Sequence, residues 1–281
     1  MIYELDKRGY KYKEEELGIT PFGLGIEVRR SNMKNITKEE TNKMLNEFRE
    51  CKYAKLSDKK YMAYIFIKDH IDGNEKFRKY FMNIIFYLTE NYSSENCEKM
   101  EEFFQNESGY YLIMENIEYD EPPEKKFDPE FIKYYFNQIN NELDRRHKFG
   151  LYDHVFSDED LGIKYLDNKK SKFRVILKFI TFIKQMDFRF RSIHFSLSKL
   201  LNIYKIDPEL RDKFSNIISM KKEDFKKSFE NIAYNINSKN EIYNLGIMMR
   251  KFIGKNKIKK GDNFHNLLIS MFKEKSEERI S

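Results

Sequence analysis

Residues 147–163, HKFGLYDHVFSDEDLGI, combine the residue types that acid–base and metal chemistry use. Four carboxylates lie close together in this stretch: Asp153, Asp158, Glu159 and Asp160. Carboxylates in a loop bind divalent cations, and they accept protons from attacking hydroxyl groups. Whether the stretch is an active site depends on the elements that position these acids.

Length and composition set the frame for those elements. The 281 residues suffice for one large domain or two smaller lobes with a hydrophobic core. Apolar residues make up 40% of the chain and aromatic residues 16%, so we expect it to fold. Lys, Asn and Ile are abundant, which resembles the codon bias of an AT-rich genome, so Lys richness alone is no functional signal. The net charge of +6 permits an acidic or nucleic-acid partner without requiring one.

The spacing of the cysteines and the hydropathy of the chain predict the cellular compartment. Cys51 and Cys97 lack CxxC spacing and neighbouring histidines, which predicts a reducing compartment without a disulfide framework or zinc site. The start, MIYELDKRGYKYKEEEL, is too charged for a signal peptide, and the longest apolar run, residues 82–88, is too short to cross a bilayer. We expect a cytoplasmic protein with no membrane attachment, no metal site and no cofactor.

Hydrophobic periodicity predicts the elements before the acidic stretch. Residues 61–68 and 109–117 are apolar runs typical of strands, and residues 74–91 have the spacing of an amphipathic helix. The charged, proline-containing segment EYDEPPEKKFD predicts a linker. The chain is therefore expected to divide into domains at 1–115 and 116–281.

The second domain is predicted to be mainly helical. DPEFIKYYFNQINNELDRRH begins with an Asp N-cap followed by Pro, which indicates a helix over residues 129–147. Residues 161–180 predict a hairpin that turns between Asp167 and Lys172, and residues 181–239 are long and helical in character.

This order of elements resembles the protein-kinase fold. Three motifs and a closing helix carry the resemblance. YIFIK has Lys68 as the phosphate-pairing lysine, and YYLIMEN has Met114 as gatekeeper and Glu115 opening the hinge. NEIYNLGI has Glu241 in place of an aspartate, and the closing helix over residues 267–281 contains Arg279. The resemblance spans residues 61–281. It implies a bilobal α+β fold, with a small antiparallel-sheet lobe that contains an inserted helix at 35–51 and a larger helical lobe.

The catalytic positions that the resemblance implies are degenerate. Aligning the family's H-R-D-x-x-x-x-N with DHVFSDED puts Asp153 at its histidine, Val155 at its catalytic aspartate and Asp160 at its metal-binding asparagine. A valine can neither orient a hydroxyl group nor accept its proton. The family's D-F-G falls on residues 178–180, so Lys178 replaces the metal-binding aspartate, and a cation there would repel Mg²⁺.

Alternatives remain open at several of these positions. MDFR, residues 186–189, could be a displaced D-F-G that supplies Asp187. Lys68 could be a structural lysine, since the helix at 74–91 has no acid near its middle to pair with it. FGLGIEV, residues 22–28, could be a reduced phosphate loop or a turn between strands.

A basic segment near the C-terminus is a candidate partner-binding region. Its six cations are Arg250, Lys251, Lys255, Lys257, Lys259 and Lys260. They could contact an acidic protein, a ribonucleoprotein or nucleic acid directly, or they could form a solvated loop in a Lys-rich chain.

These observations predict a pseudokinase that binds and regulates or inhibits another macromolecule. Catalytic residues are not expected, and a nucleotide, if one binds, would contact Lys68, Met114 and Glu115. Two alternatives are an unorthodox phosphotransferase with displaced catalytic residues, and an inhibitor of a host defence complex encoded by a phage or mobile element, in the manner of an anti-CRISPR protein.

Overall fold

A computed structural model describes residues 3–12, 18–20, 23–31, 56–121, 129–152, 157–167, 172–194, 207–218, 220–254, 261 and 263–279. The elements in chain order are α1 (Tyr3–Lys7), β1 (Tyr10–Tyr12), β2 (Gly18–Thr20), β3 (Gly23–Ser31), β4 (Leu56–Ile67), α2 (Lys68–Asp72), α3 (Glu75–Glu90), β5 (Met100–Gln105), β6 (Gly109–Glu115), α4 (Pro129–His147), β7 (Leu161–Tyr165), β8 (Phe173–Leu177), α5 (Ile180–His194), α6 (Pro208–Ile217), α7 (Lys222–Tyr234), α8 (Ser238–Ile253) and α9 (Asn263–Met271). Short 3₁₀ helices occur at Asp158–Asp160 and Ser276–Glu278. The protein therefore has a mixed α+β fold.

The larger sheet has the strand order β1-β3-β4-β6-β5, and β2 also pairs with β3. Strands β4 and β6 run antiparallel, with Tyr61 opposite Glu115 and Ile67 opposite Gly109. This pairing confirms the prediction that the two apolar runs are neighbouring strands of one antiparallel sheet. Strand β5 was not predicted, because its sequence MEEFFQ buries only Phe104 and shows no clear alternation.

Burial explains why β4 and β6 form the centre of this sheet. Their buried residues pack with α1, β1 and β5 in one hydrophobic cluster: Leu5, Tyr10, Tyr61, Ala63, Ile65, Phe104, Tyr111 and Ile113. Six successive residues of β6, from Gly109 to Met114, are buried, which is typical of a strand covered on both faces. The short helix α2 contacts both strands and buries Ile71.

The chain divides into two compact units, and each unit consists of two separate stretches of sequence instead of the continuous domains 1–115 and 116–281 that were predicted. One unit consists of residues 1–78 and 98–118, and the other of residues 79–97 and 119–281. Most of helix α3 thus belongs to the helical unit, although the sequence predicted it as part of the sheet domain. That the two units are kinase lobes remains a prediction, and the inserted helix expected at 35–51 lies outside the described residues.

One hydrophobic cluster of the second unit joins α4, the β7–β8 hairpin, α8 and α9. Its buried members include Ile132, Phe136, Ile139, Leu143, Ile163, Val175, Leu245, Met248, Met249 and Leu268. The helix predicted over residues 129–147 is confirmed as α4, and it shares this cluster with α8. The hairpin is also confirmed, with Leu161 opposite Leu177 and Tyr165 opposite Phe173.

A second cluster in the same unit joins α5, α6 and α7. It contains Phe188, Leu210, Phe214, Ile217, Phe229, Ala233 and Ile236. Within the described ranges, the prediction of a helical stretch over 181–239 is confirmed. No helix of these ranges combines the length and the apolar character that crossing a membrane requires.

Candidate functional site

The end of the acidic stretch is held by a 3₁₀ turn followed by strand β7. The backbone N–H and the hydroxyl of Ser157 donate to Asp160 Oδ2 at 2.8 and 3.1 Å. The backbone N–H of Lys178 donates to the carbonyl oxygen of Asp160 at 2.9 Å, which extends the ladder between β7 and β8. The structure therefore brings together two of the degenerate positions, Asp160 and Lys178, at the base of the hairpin.

The Asp160 carboxylate is neutralised by a residue that sequence analysis missed. Lys184 Nζ lies 2.5 Å from Asp160 Oδ1, and the Asp160 side chain is only 1% exposed. Lys184 lies one turn into helix α5, so its role depends on where that helix begins. In the sequence, Lys184 is marked only by its position six residues after Lys178. That spacing does not predict a contact with Asp160 unless the start of helix α5 is known.

Lys178 is held beside the same turn. Its ammonium group donates to the carbonyl oxygen of Glu159 at 3.0 Å and lies 4.7 Å from the centre of the Tyr119 ring. The ring reaches this place because residue 162 is glycine: a Cβ atom on Gly162 would lie 1.9 Å from the Tyr119 ring. Two ammonium groups, those of Lys178 and Lys184, are thus fixed around the Asp160 turn.

This geometry limits the chemistry that Asp160 can perform. Both of its carboxylate oxygens already accept hydrogen bonds, one from Lys184 and the other from Ser157. Mg²⁺ demands near-octahedral oxygen ligands at short distance, and two neighbouring ammonium groups oppose its charge. Among the described residues, no cluster of three His, Cys, Asp or Glu side chains is suited to a metal ion.

The remaining positions considered for catalysis are Asp153, Val155 and Asp187. Asp153 and Val155 lie outside the described residues. Asp187 lies in the interior of helix α5 and is 8% exposed, and Phe188 beside it is fully buried in the α5–α7 cluster. MDFR is therefore helical rather than a loop that could present a metal ligand.

The residues proposed for nucleotide binding lie in the sheet unit. Strand β4 ends at Ile67, so Lys68 begins helix α2 rather than ending the strand as expected. Its ammonium group lies 5.7 Å from the centre of the Tyr110 ring. Met114 is buried and Glu115 is half-buried at the end of β6.

Two further observations on the same unit bear on the expected nucleotide contacts. Helix α3 has its acids at its first and last residues, Glu75 and Glu90, as expected. FGLGIEV is not a loop over its described residues: Gly23 begins β3, and Gly25 pairs with both Gly18 and Tyr64. Residues 23–28 are therefore part of strand β3 rather than a turn or a phosphate loop.

The arginine that the resemblance singled out forms a buried ion pair. Both terminal nitrogens of Arg279 donate to the carboxylate of Asp207, and both side chains are fully buried. Asp207 also caps α6 by accepting from the backbone N–H of Glu209 at 2.8 Å. The expected closing helix over 267–281 is corrected, because α9 ends at Met271 and Arg279 follows a 3₁₀ turn.

A second side-chain contact between distant parts of the chain joins α4 and α8. Glu241, which replaces the family's aspartate in the resemblance, is buried and lies 2.6 Å from Nε2 of His147. The described part of the basic segment comprises Arg250 and Lys251, which are exposed on the last turn of α8. Lys255, Lys257, Lys259 and Lys260 lie outside the described residues.

Comparison with known proteins adds no relative: no family model and no curated protein sequence matches the chain. The kinase-like assignment therefore stays a prediction that depends on the order of motifs and on the geometry described above.

Proposed function

We propose that this protein is a catalytically inactive, kinase-like protein that acts by binding another macromolecule. The observation that carries the proposal is the contact of Lys184 with the buried Asp160 carboxylate, beside Lys178. In the resemblance, Asp160 and Lys178 stand at the two metal-binding positions. Here one is bonded to an ammonium group, and the other is itself an ammonium group.

The physical argument concerns charge. Phosphoryl transfer depends on positioning and on metal ions that neutralise the developing charge, and the protein must supply anionic or neutral oxygen ligands for them. At the Asp160 turn the protein instead supplies fixed cations of its own. An internal ammonium group satisfies the carboxylate without Mg²⁺, so the turn keeps its shape for a structural reason.

The rival proposal is an unorthodox phosphotransferase that uses Asp153, Asp160 and Asp187. It is disfavoured by the position of Asp187 in a helix interior, next to a core phenylalanine. A carboxylate that binds a metal during transfer needs access to the phosphate, whereas Asp187 is buried.

The test is nucleotide binding and phosphoryl transfer by the full chain. We expect millimolar Mg·ATP to leave the melting temperature unchanged and radiolabelled ATP to label neither the protein nor added substrates. A ligand present at one hundred times its Kd would add about 2.7 kcal/mol of stability, which a thermal melt detects readily.

The contrary result is equally clear. A rise in melting temperature that Lys68→Ala abolishes, together with labelling that Asp160→Ala or Asp187→Ala abolishes, would establish the phosphotransferase instead. Lys226→Ala, on the exposed face of α7, is the matched control for loss of a lysine.

A further inference from the structure

One face of the second unit carries a groove that the proposed function does not yet use. Its volume is about 680 Å³, and it is lined by Pro208, Tyr243, Ile247, Arg250, Lys251, Gly254, Phe272 and Glu274. We call it the α8 groove, because α8 contributes half of these residues. A volume of this size accommodates one or two side chains of a bound segment.

The apolar part of the α8 groove is held in place by packing. The rings of Tyr243 and Phe272 meet edge to face with centres 5.5 Å apart. Gly246 permits this approach, since a Cβ atom there would lie 3.0 Å from the Phe272 ring. The guanidinium group of Arg279 lies 5.2 Å from the centre of the Tyr243 ring. A groove fixed in this way loses little entropy on binding.

The charged part of the groove is mainly cationic. Arg250 is exposed, and its guanidinium group makes no ion pair or hydrogen bond with the rest of the described chain. Lys251 is exposed beside it, while Glu274 is the acidic lining residue. In the sequence, residues 250–262 carry Arg250, Lys251 and four further lysines against a single acid, Asp262.

We propose that the α8 groove binds an acidic peptide segment of a partner protein. An apolar side chain of that segment enters between Ile247 and Phe272, and its carboxylates face Arg250 and Lys251. An arginine that has no partner within the described ranges, next to an apolar recess, suits a ligand that carries both features. This inference rests on the proposed function and names the chemistry of the partner.

A peptide fits this groove better than a nucleic acid does. Single-stranded nucleic acids stack their bases on open aromatic faces and follow a continuous row of cations. Here the Arg279 guanidinium group lies over the Tyr243 ring, and Phe272 meets the same ring edge to face, so the ring is less open to a stacking base.

The test is fluorescence anisotropy with the full chain and a labelled acidic peptide that has a central phenylalanine and leucine. Two control peptides replace either the acids by their amides or the two apolar residues by serine. We expect binding of the first peptide alone, and weaker binding as the salt concentration rises. Arg250→Glu and Ile247→Asp should each weaken binding about tenfold or more.

Lys226→Glu is the matched control, because it makes the same change of charge on an exposed face of α7. Equal weakening by Lys226→Glu, or equal binding of the amide peptide, would overturn the proposal. So would a single-stranded oligonucleotide that binds more tightly than the peptide and is insensitive to Ile247→Asp. Thermal melts of each variant establish that it is folded.

The Mg·ATP assay does not depend on peptide binding in the α8 groove. The proposed inactivity and the proposed peptide site can therefore be refuted independently of each other. A chain that transfers phosphate yet binds the acidic peptide through Arg250 would overturn only the inactivity. A chain inert toward nucleotide that ignores every peptide would overturn only the groove.

Discussion

The Asp160 carboxylate shows how a single residue can be kept in place for a structural reason. It is buried, and its oxygens accept hydrogen bonds from Lys184 and from the backbone and hydroxyl of Ser157. Removing one partner of a buried ion pair leaves a charge without compensation, which costs more than the pair itself contributes. The interaction of Lys184 with Asp160 is therefore testable through stability.

Lys184→Met should lower the free energy of unfolding by about 1–3 kcal/mol, less than for a fully buried pair because Lys184 is partly exposed. Adding Asp160→Asn should recover part of that loss, since the asparagine leaves no buried charge. Urea denaturation measures both values. Lys213→Met removes a more exposed pair with Glu209 and should cost about 0.5 kcal/mol or less. Equal losses for Lys184→Met and Lys213→Met would contradict this account.

Glu209 offers a test through pH. Partial burial acts to raise the pKa of Glu209, but hydrogen bonds from Lys213 and from Ser276 outweigh it and lower the pKa from 4.5 to about 2. Because the pKa is lower in the folded state, the stabilisation is present above pH 4.5 and is lost as pH falls toward 2.

The variant Glu209→Gln should therefore be less stable than the parent chain by about 1 kcal/mol above pH 4.5, allowing for solvent screening. The difference should vanish near pH 2. Urea denaturation across this range measures it, and Asp212→Asn, exposed on the same helix, should show no such trend. A difference that is constant with pH would refute the role of the Glu209 carboxylate.

At the scale of elements, the end of the described chain is tied to the start of α6. Arg279 bonds to Asp207 and to the carbonyl oxygens of Lys273 and Glu274. Glu209 adds a bond from the backbone N–H of Ser276 at 2.5 Å. The segment after α9 is thereby fixed although it contains little regular structure, and Phe272 on the same segment lines the α8 groove.

Arg279→Met should lower the free energy of unfolding by about 3–5 kcal/mol, because it leaves the buried Asp207 carboxylate without its cation. Chemical denaturation measures the loss. Arg174→Met is the control, since Arg174 pairs with Glu95 at an exposed site and its loss should cost about 1 kcal/mol or less. If both substitutions cost the same, the Arg279 pair has no special role in stability.

At the scale of the whole molecule, neither unit is a continuous piece of chain. Residues 79–97 belong to the helical unit, where Tyr87 packs against Phe149 and Phe182. The Tyr87 hydroxyl also donates to the buried carboxylate of Glu142, whose pKa is raised by burial. The helical unit therefore depends on a segment that precedes part of the sheet in sequence.

This arrangement predicts how the chain can be cut. Residues 79–281, with 98–118 replaced by a Gly/Ser linker of equal length, should unfold cooperatively in urea. Residues 119–281 alone should not, because losing large buried side chains costs about 3–5 kcal/mol each, against a total stability of about 5–15 kcal/mol. Tyr87→Ala in the full chain tests the contribution of one of these side chains. Equal denaturation midpoints for the two fragments would contradict the assignment of residues 79–97.

Local patterns in the sequence identified several of the helices and strands. The Asp-Pro start and apolar spacing predicted α4 over the residues observed, and continuous β-rich runs predicted β4 near its C-terminal end and β6. The hairpin of β7 and β8 followed from its turn residues. These features depend on neighbours along the chain, so the sequence carries them directly.

Only the tertiary structure decided which side chains meet. Asp207 and Arg279 are 72 residues apart, and Lys184 reaches Asp160 only because α5 begins directly after the hairpin. The assignment of most of α3 to the helical unit likewise depends on which apolar face its side chains bury. Periodicity shows that such a face exists but does not identify what covers it, because any apolar surface of the right shape stabilises it.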